Sequence, residues 1–384
     1  MAGEYLNWAS FLSIGSLYSE SDVSQGLTGR MLPGFFAQPE EEPYYSGSFL
    51  DLELDMDVDI SVPEGLFLDG IYFFNSGNYL STPTYDGSGQ AVHPDIAYFP
   101  EGWQGYKYWM VFTPYPFGKR AYENPSILVS QDGYHWDIPP GLRNPVVGPV
   151  SRGYHADPDL LYDQKSGELW LYFMRFKDNQ SYLYRVCSSD GINWSNPELI
   201  FQEPYFGMLS PSILYQGGLY HLWYVDSGRL GINSGYTEVK YRTSDDGVNW
   251  SQPQKVSIDL QGYQVWHLEV SYIPSAEEFW MFFPGFKEGQ VANRTDLFFA
   301  RAVEPLQWTV SPQPVLTKSS GKAWDNTRIY RASFLYDEES KEIRLWYSAA
   351  QRLWTLAYII PYPTYIWRIG YTDFSFPLMV DQGG

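Results

Sequence analysis

His93-Pro-Asp-Ile-Ala-Tyr98, Asp157-Pro-Asp-Leu-Leu-Tyr162, Ser210-Pro-Ser-Ile-Leu-Tyr215, His267-Leu-Glu-Val-Ser-Tyr272 and Arg331-Ala-Ser-Phe-Leu-Tyr336 are five versions of one segment. Their closing tyrosines stand 64, 53, 57 and 64 residues apart. An aromatic-rich stretch with strand character follows each, at 106–115, 169–176, 219–225, 279–283 and 343–348. A second pattern keeps the same period: Ser130-Gln-Asp-Gly-Tyr-His-Trp136, Ser188-Ser-Asp-Gly-Ile-Asn-Trp194 and Ser244-Asp-Asp-Gly-Val-Asn-Trp250. Only the tryptophan survives in a fourth copy, at Trp308. Asp-Gly is a hairpin signal, because glycine accepts a positive φ without a steric penalty. Each unit therefore reads strand, strand, strand, Asp-Gly turn, strand, which is one four-stranded antiparallel blade. Two unrelated motifs at one period mark a repeat array. The expected fold is all-β: a five-bladed β-propeller over residues 91–384 with an N-terminal extension, residues 1–90. The outermost strand of the last blade comes from 376–380 or is borrowed from before residue 91.

In a propeller the innermost strand of each blade lines the axis, and side chains two apart on a strand point the same way. The first and third residues of the five segments are His93 and Asp95, Asp157 and Asp159, Ser210 and Ser212, His267 and Glu269, and Arg331 and Ser333. All ten are polar. Buried charges must be paired, hydrated or metal-bound, so this ring is the candidate site. Trp266, beside it, offers a stacking face, while most of the other tryptophans read as core between blades. Glu123-Asn124-Pro125, ahead of a third strand, lies at the expected rim of the pocket.

Composition narrows the partners. Net charge is −20, which repels nucleic acid. Cys187 is the only cysteine, so neither a disulfide within the chain nor a cysteine-based zinc site is available. Aromatics make up 18% of the chain, and their flat faces suit sugar rings. No 18-residue apolar run and no basic, apolar leader are found, so a soluble chain without signal peptide or membrane span is expected. In the extension, Asp51-Leu-Glu-Leu-Asp-Met-Asp-Val-Asp-Ile60 alternates strictly and predicts one strand with an acidic face, either a plain edge strand or an attachment segment to oligomer or virion partners.

Five blades whose inner strands open with Asp-Pro resemble the clan of glycoside hydrolases that contains families 43 and 32. Ala156-Asp157-Pro158-Asp159 matches that signature best; His93 stands where the clan has its aspartate, and the glutamate falls in blade four, at Glu269. Tyr122-Glu-Asn-Pro-Ser126, Trp266-His-Leu-Glu269 and Trp367-Arg-Ile-Gly-Tyr371 are further similar to uncharacterised propeller proteins of bacteria and phages, the latter of a tail or virion type that meets surface glycans.

The resemblance implies a polysaccharide partner and leaves two readings. In the first, the protein cleaves a glycan: Glu269 is the acid, Asp95 or Asp157 the base, and His93, Asp159, His267, Arg331 and Trp266 hold the sugar. Hydrolysis needs two such carboxyls about 5–9.5 Å apart. In the second, it binds glycan without catalysis, as a receptor-binding virion component. A structural divalent cation such as calcium at the axis, held by the histidines and carboxylates, fits either reading.

Overall fold

Inner-strand segments and Asp-Gly turns build the blades in the order the repeat requires. The structure is a computed structural model that describes residues 71–352 and 365–375; residues 1–70, including the acidic stretch 51–60, and residues 376–380 lie outside the described residues. Blade one is β1 (Ala91–Trp103), β2 (Tyr106–Pro114) and β3 (Ser126–Ser130), and blade two is β4 (Gly153–Asp163), β5 (Glu168–Lys177), β6 (Gln180–Ser188) and β7 (Glu198–Pro204). Blade three is β8 (Leu209–Gln216), β9 (Leu219–Asp226), β10 (Glu238–Ser244) and β11 (Gln254–Lys255). In blade four, β12 (Ser257–Ile258) joins the outer edge parallel to β17 (Gln307–Val310). Its inner strand is split into β13 (Tyr263–Val265) and β14 (Glu269–Ile273), both paired with β15 (Glu278–Lys287), which pairs in turn with β16 (Asp296–Ala302). Blade five is β18 (Arg328–Asp337), β19 (Glu342–Arg352) and β20 (Tyr365–Ser375).

The five tyrosines are equivalent, as the repeat predicts: each sits near the end of its inner strand, paired with the start of the next, as in Tyr98 opposite Tyr108 and Tyr336 opposite Ile343. The four-stranded plan is complete in blades two and three. Blade one has three strands and one bridge, Asp137 to Val129, in place of the fourth. Blade five also has three among the described residues, and the segment before residue 91 meets its outer strand: Tyr79 bridges Gly370, and Leu80 N–H donates to the Ile369 carbonyl at 2.8 Å. Phe73, fully buried, packs against Phe282 and Phe374. Residues 71–90 thus close the ring at its seam and add no sixth blade.

The Asp-Gly turns couple neighbouring blades. In each copy the aspartate accepts from the two backbone N–H groups that follow the glycine, and the serine hydroxyl accepts from the glycine N–H. The glycine presses on an indole of the preceding blade: Gly133 on Trp346, Gly191 on Trp109, Gly247 on Trp170. A Cβ on Gly133 would meet Trp346 at 2.9 Å, so the glycine is required for approach as well as for its φ of +80°. Blade four has lost the motif, but the Pro305 carbonyl still accepts from the Trp223 indole of blade three, at 2.9 Å.

Candidate functional site

The inner strands of blades one to three do not enter the axis as regular ladders. Pairing skips two residues at His93-Pro94, Asp157-Pro158 and Ser210-Pro211. His93, Asp157 and Ser210 there have φ of +55°, +50° and +48°, left-handed backbone that only a well-determined surrounding retains in non-glycine residues. The bulge separates the first and third positions of each segment into two layers along the axis.

The outer layer opens into a cavity of about 50 Å³. His93, Asp157, Trp266 and His267 line it, together with Glu123, Tyr154, Arg328 and Tyr330. His93 Nε2 lies 3.1 Å and His267 Nδ1 3.6 Å from Asp157 Oδ1. The three ligand atoms of this trio fall within 4.8 Å of one another. The far side of two of these groups is anchored: His93 Nδ1 bonds the Thr113 hydroxyl at 2.9 Å, and Asp157 Oδ2 accepts from Ser210 N–H at 2.9 Å. The atoms facing the centre make no hydrogen bond. Burial holds both imidazoles well below their usual range, hence neutral, with Arg331 adding to the effect at His93, and His93 and then Arg331 at His267. Burial also raises Asp157, against the pull of Arg331 and the Ser210 amide. Three converging lone-pair donors, His93 and Asp157 anchored from behind and His267 with neither ring nitrogen hydrogen-bonded, form a ligand set that fits a metal ion. Two imidazoles and one carboxylate suit zinc or another transition ion, as do catalytic sites with three protein ligands and an open position. Calcium, which the sequence left open as one option for a structural ion at the axis, takes all-oxygen shells and suits this mixed donor set less well.

Glu123 reaches the same cavity from the loop before β3. It is buried, and burial drives its carboxyl well above the ordinary range; Arg120 opposes this and Asp157 adds to it. The loop is held by a chain of hydrogen bonds: Arg175 Nε donates to His155 Nε2 (2.9 Å), His155 Nδ1 meets Asn124 Oδ1 (3.1 Å), and Asn124 Nδ2 donates to the Tyr85 hydroxyl (2.8 Å). Arginine can only donate, so His155 carries its proton on Nδ1. The sequence placed Glu123 at the rim; nothing in the repeat marks it as the carboxyl beside the trio.

The inner layer has another character. Asp95, Asp159 and Glu269 bring one oxygen each within 4.8 Å of the others, but none lines the cavity. They belong to a belt in which one blade's third residue accepts a backbone N–H of the next inner strand. Asp95 takes Leu160 N–H (2.5 Å), Asp159 takes Ile213 N–H (3.1 Å), Ser212 takes Val270 N–H (2.9 Å), and Ser333 takes Ile96 N–H (3.1 Å). Glu269 breaks the pattern and binds Arg331 Nη2 at 3.1 Å. Burial raises Asp95, Asp159 and Glu269 alike, and the neighbouring carboxylates lift the latter two further. Arg331 is fully buried, its Nη2 3.1 Å from Glu269 and 3.9 Å from Asp159, and does not line the cavity. The eight site residues expected from sequence therefore all lie at the axis, four on the cavity and four beneath it.

No protein-family model matches the chain. The chain is similar to a sugar deacetylase. Along an alignment of 352 residues it is 30% identical to an A type blood N-acetyl-α-D-galactosamine deacetylase of Flavonifractor plautii, with 76% of this chain and 45% of that protein covered. This chain thus spans about half the length of that curated relative. The crystal structure of an N-acetylgalactosamine deacetylase from F. plautii, in complex with blood group B trisaccharide, superposes with a TM-score of 0.72 at 28% identity, covering 79% of this chain and 96% of that one. A thermostable family-43 glycoside hydrolase superposes at 0.56 with 13% identity, covering 79% and 93% respectively, which shows the shared propeller alone. The virion role gains no support from these relatives. Among the described residues no helix is long and apolar enough to cross a membrane.

Proposed function

We propose that this chain is a metal-dependent deacetylase acting on an N-acetylated amino sugar within a glycan. The observation that carries the proposal is the trio of unpartnered, converging atoms on His93, Asp157 and His267, and its support is the similarity to a deacetylase. A divalent ion held there would polarise the acetamide carbonyl and make a water acidic enough to attack at neutral pH. The chain supplies the rest. Glu123, with its raised carboxyl, takes the proton of the attacking water and returns it to the amide nitrogen as the C–N bond breaks, so that acetate and a free amine leave. Trp266, whose indole N–H has no partner, lies on the cavity wall as a donor for the carbonyl side. The cavity's small volume suits an acetyl group and leaves the sugar ring outside. Under this reading Asp95, Asp159 and Glu269 hold the blades together instead of acting as acid and base, and glycosidic bonds stay intact.

The test is acetate release from N-acetylgalactosamine and N-acetylglucosamine glycosides, with and without chelator, alongside metal analysis of the purified protein. Stoichiometric metal, with release that chelation stops and metal restores, is expected. New reducing ends without acetate would overturn the proposal in favour of glycoside hydrolysis.

A further inference from the structure

Three arginines are buried among the described residues, Arg242, Arg328 and Arg331. Arg242 pairs with Glu203 and Arg331 with Glu269. Arg328 has no carboxylate within ion-pair distance among the described residues, although it is only 7% exposed. Its Nη1 donates to the Ala292 carbonyl at 3.2 Å, and its Nε has no partner. Aromatic rings surround the guanidinium, with Trp367 at 4.7 Å, Tyr330 at 5.4 Å and Tyr365 at 5.5 Å from their centroids. Ring faces recover part of the cost of desolvating a cation and fix its orientation, but a buried charge without a counter-ion stays expensive.

Position gives this residue a role. Arg328 lines the cavity two residues before Tyr330 on β18, at the strand end away from Arg331, so it stands on the approach to the site. Arg120 lines the same cavity, its guanidinium over Tyr154 at 5.3 Å. The two arginines offset Asp157 and Glu123, and a divalent ion on the trio then leaves the wall net positive, within a chain of net charge −20. A neutral N-acetylated sugar uses none of that charge.

We propose that the substrate carries a carboxylate on the sugar beside the N-acetylated one, as in a hexuronic acid, and that Arg328, seconded by Arg120, binds it. The planar fork of arginine matches a carboxylate, and the unused donors of Arg328 supply the hydrogen bonds. This inference rests on the deacetylase reading for the chemistry of the neighbouring sugar, though not for the anion site itself. The product acetate is the competing source of a carboxylate.

The experiment compares a disaccharide of glucuronic acid and N-acetylgalactosamine with its neutral methyl ester, using metal-loaded protein. Acetate release gives kcat/KM. Tryptophan fluorescence gives binding, measured in the inactive Glu123→Gln background. A charge-assisted contact is worth about 10- to 100-fold, so the acid is expected to exceed the ester by about that factor in both measurements. Arg328→Gln should erase the acid-to-ester ratio, which is read independently of the absolute rates, and Arg328→Lys, which keeps charge but loses the fork, should give an intermediate ratio. Equal values for acid and ester in the unsubstituted protein overturn the inference, as does an Arg328→Gln variant that lowers both substrates alike. Tight acetate binding that Arg328→Gln abolishes, without any acid preference, assigns the residue to product and also overturns it. Acid-selective binding without acetate release from either compound keeps the anion site and defeats the deacetylase reading alone.

Discussion

His93 Nε2 and Asp157 Oδ1 stand 3.1 Å apart, and neither has a hydrogen bond. Two buried acceptors at that distance repel each other unless a cation or a proton lies between them. Metal is therefore expected to stabilise the fold as well as the site. At one hundred times its dissociation constant a ligand contributes about 2.7 kcal/mol, which raises the melting temperature of a domain this size by roughly 5 °C. Scanning calorimetry with zinc or manganese against chelator measures the shift. His93→Ala and Asp157→Asn should abolish it, and a shift that persists in both would move the ion elsewhere.

Glu123→Gln keeps the shape of the side chain but not its proton chemistry. Acetate release should fall by about 10²–10⁴, with metal content unchanged. A variant that stays active, or that loses its metal, shows that Glu123 is not the base.

The inner layer should answer to stability alone. Asp95→Ala strands the Leu160 N–H and removes the acceptor of the Ser333 hydroxyl, and each buried unsatisfied donor costs about 1–3 kcal/mol. Glu269→Gln leaves Arg331 without its main partner, for which removal of one member of a buried pair costs about 3–5 kcal/mol. Urea unfolding should show both losses while metal affinity stays within a few-fold. An Asp95→Ala or Glu269→Gln protein of full stability and no activity would return these carboxyls to catalysis.

Metal affinity should rise with pH. Asp157 must be ionised to bind the ion, and burial raises its carboxyl, so protons compete with metal from the ordinary carboxylate range up to that raised value. His93 and His267, held low, are already neutral across this interval and do not compete there. Titration calorimetry in two buffers of different ionisation enthalpy should detect proton release that disappears at higher pH. Affinity that does not weaken as the pH is lowered into the carboxylate range would contradict the assignment of Asp157 as a ligand.

Gly191→Ala tests the clasp between blades one and two. The new methyl would overlap the Trp109 ring, on a backbone at φ +73°. Overpacking costs typically about 1–3 kcal/mol, and the left-handed backbone adds about 1 kcal/mol for a non-glycine residue. Gly105→Ala, at φ +86° but with open space around it, is the control for backbone alone. Equal losses in chemical denaturation would mean that the indole contact contributes nothing.

The blades were legible because their motifs are repeated: Asp132, Asp190 and Asp246 cap identical turns, and five tyrosines keep one position. The axis was legible for the same reason. Alternation placed His93 with Asp95 and Asp157 with Asp159 in one ring, but it presumes a regular strand. The skips at His93-Pro94 and Asp157-Pro158 break that presumption and give each member of a pair a different depth. Glu123 stands outside the repeat, on a loop whose position depends on His155, Arg175 and Tyr85, contacts that no local pattern reports.

Residues 71–90 have a consequence for how the protein is made. Leu80 is translated almost 290 residues ahead of its partner Ile369. Until Ile369 is made, blade five cannot be completed and blade one lacks its neighbour, so both unjoined faces stay open to solvent and to other nascent chains. Closing such a loop late is slow compared with assembling a blade from adjacent strands. Truncated translation products that stop before β20 should therefore be the aggregation-prone species, and a chaperone would be needed most during synthesis of the last blade.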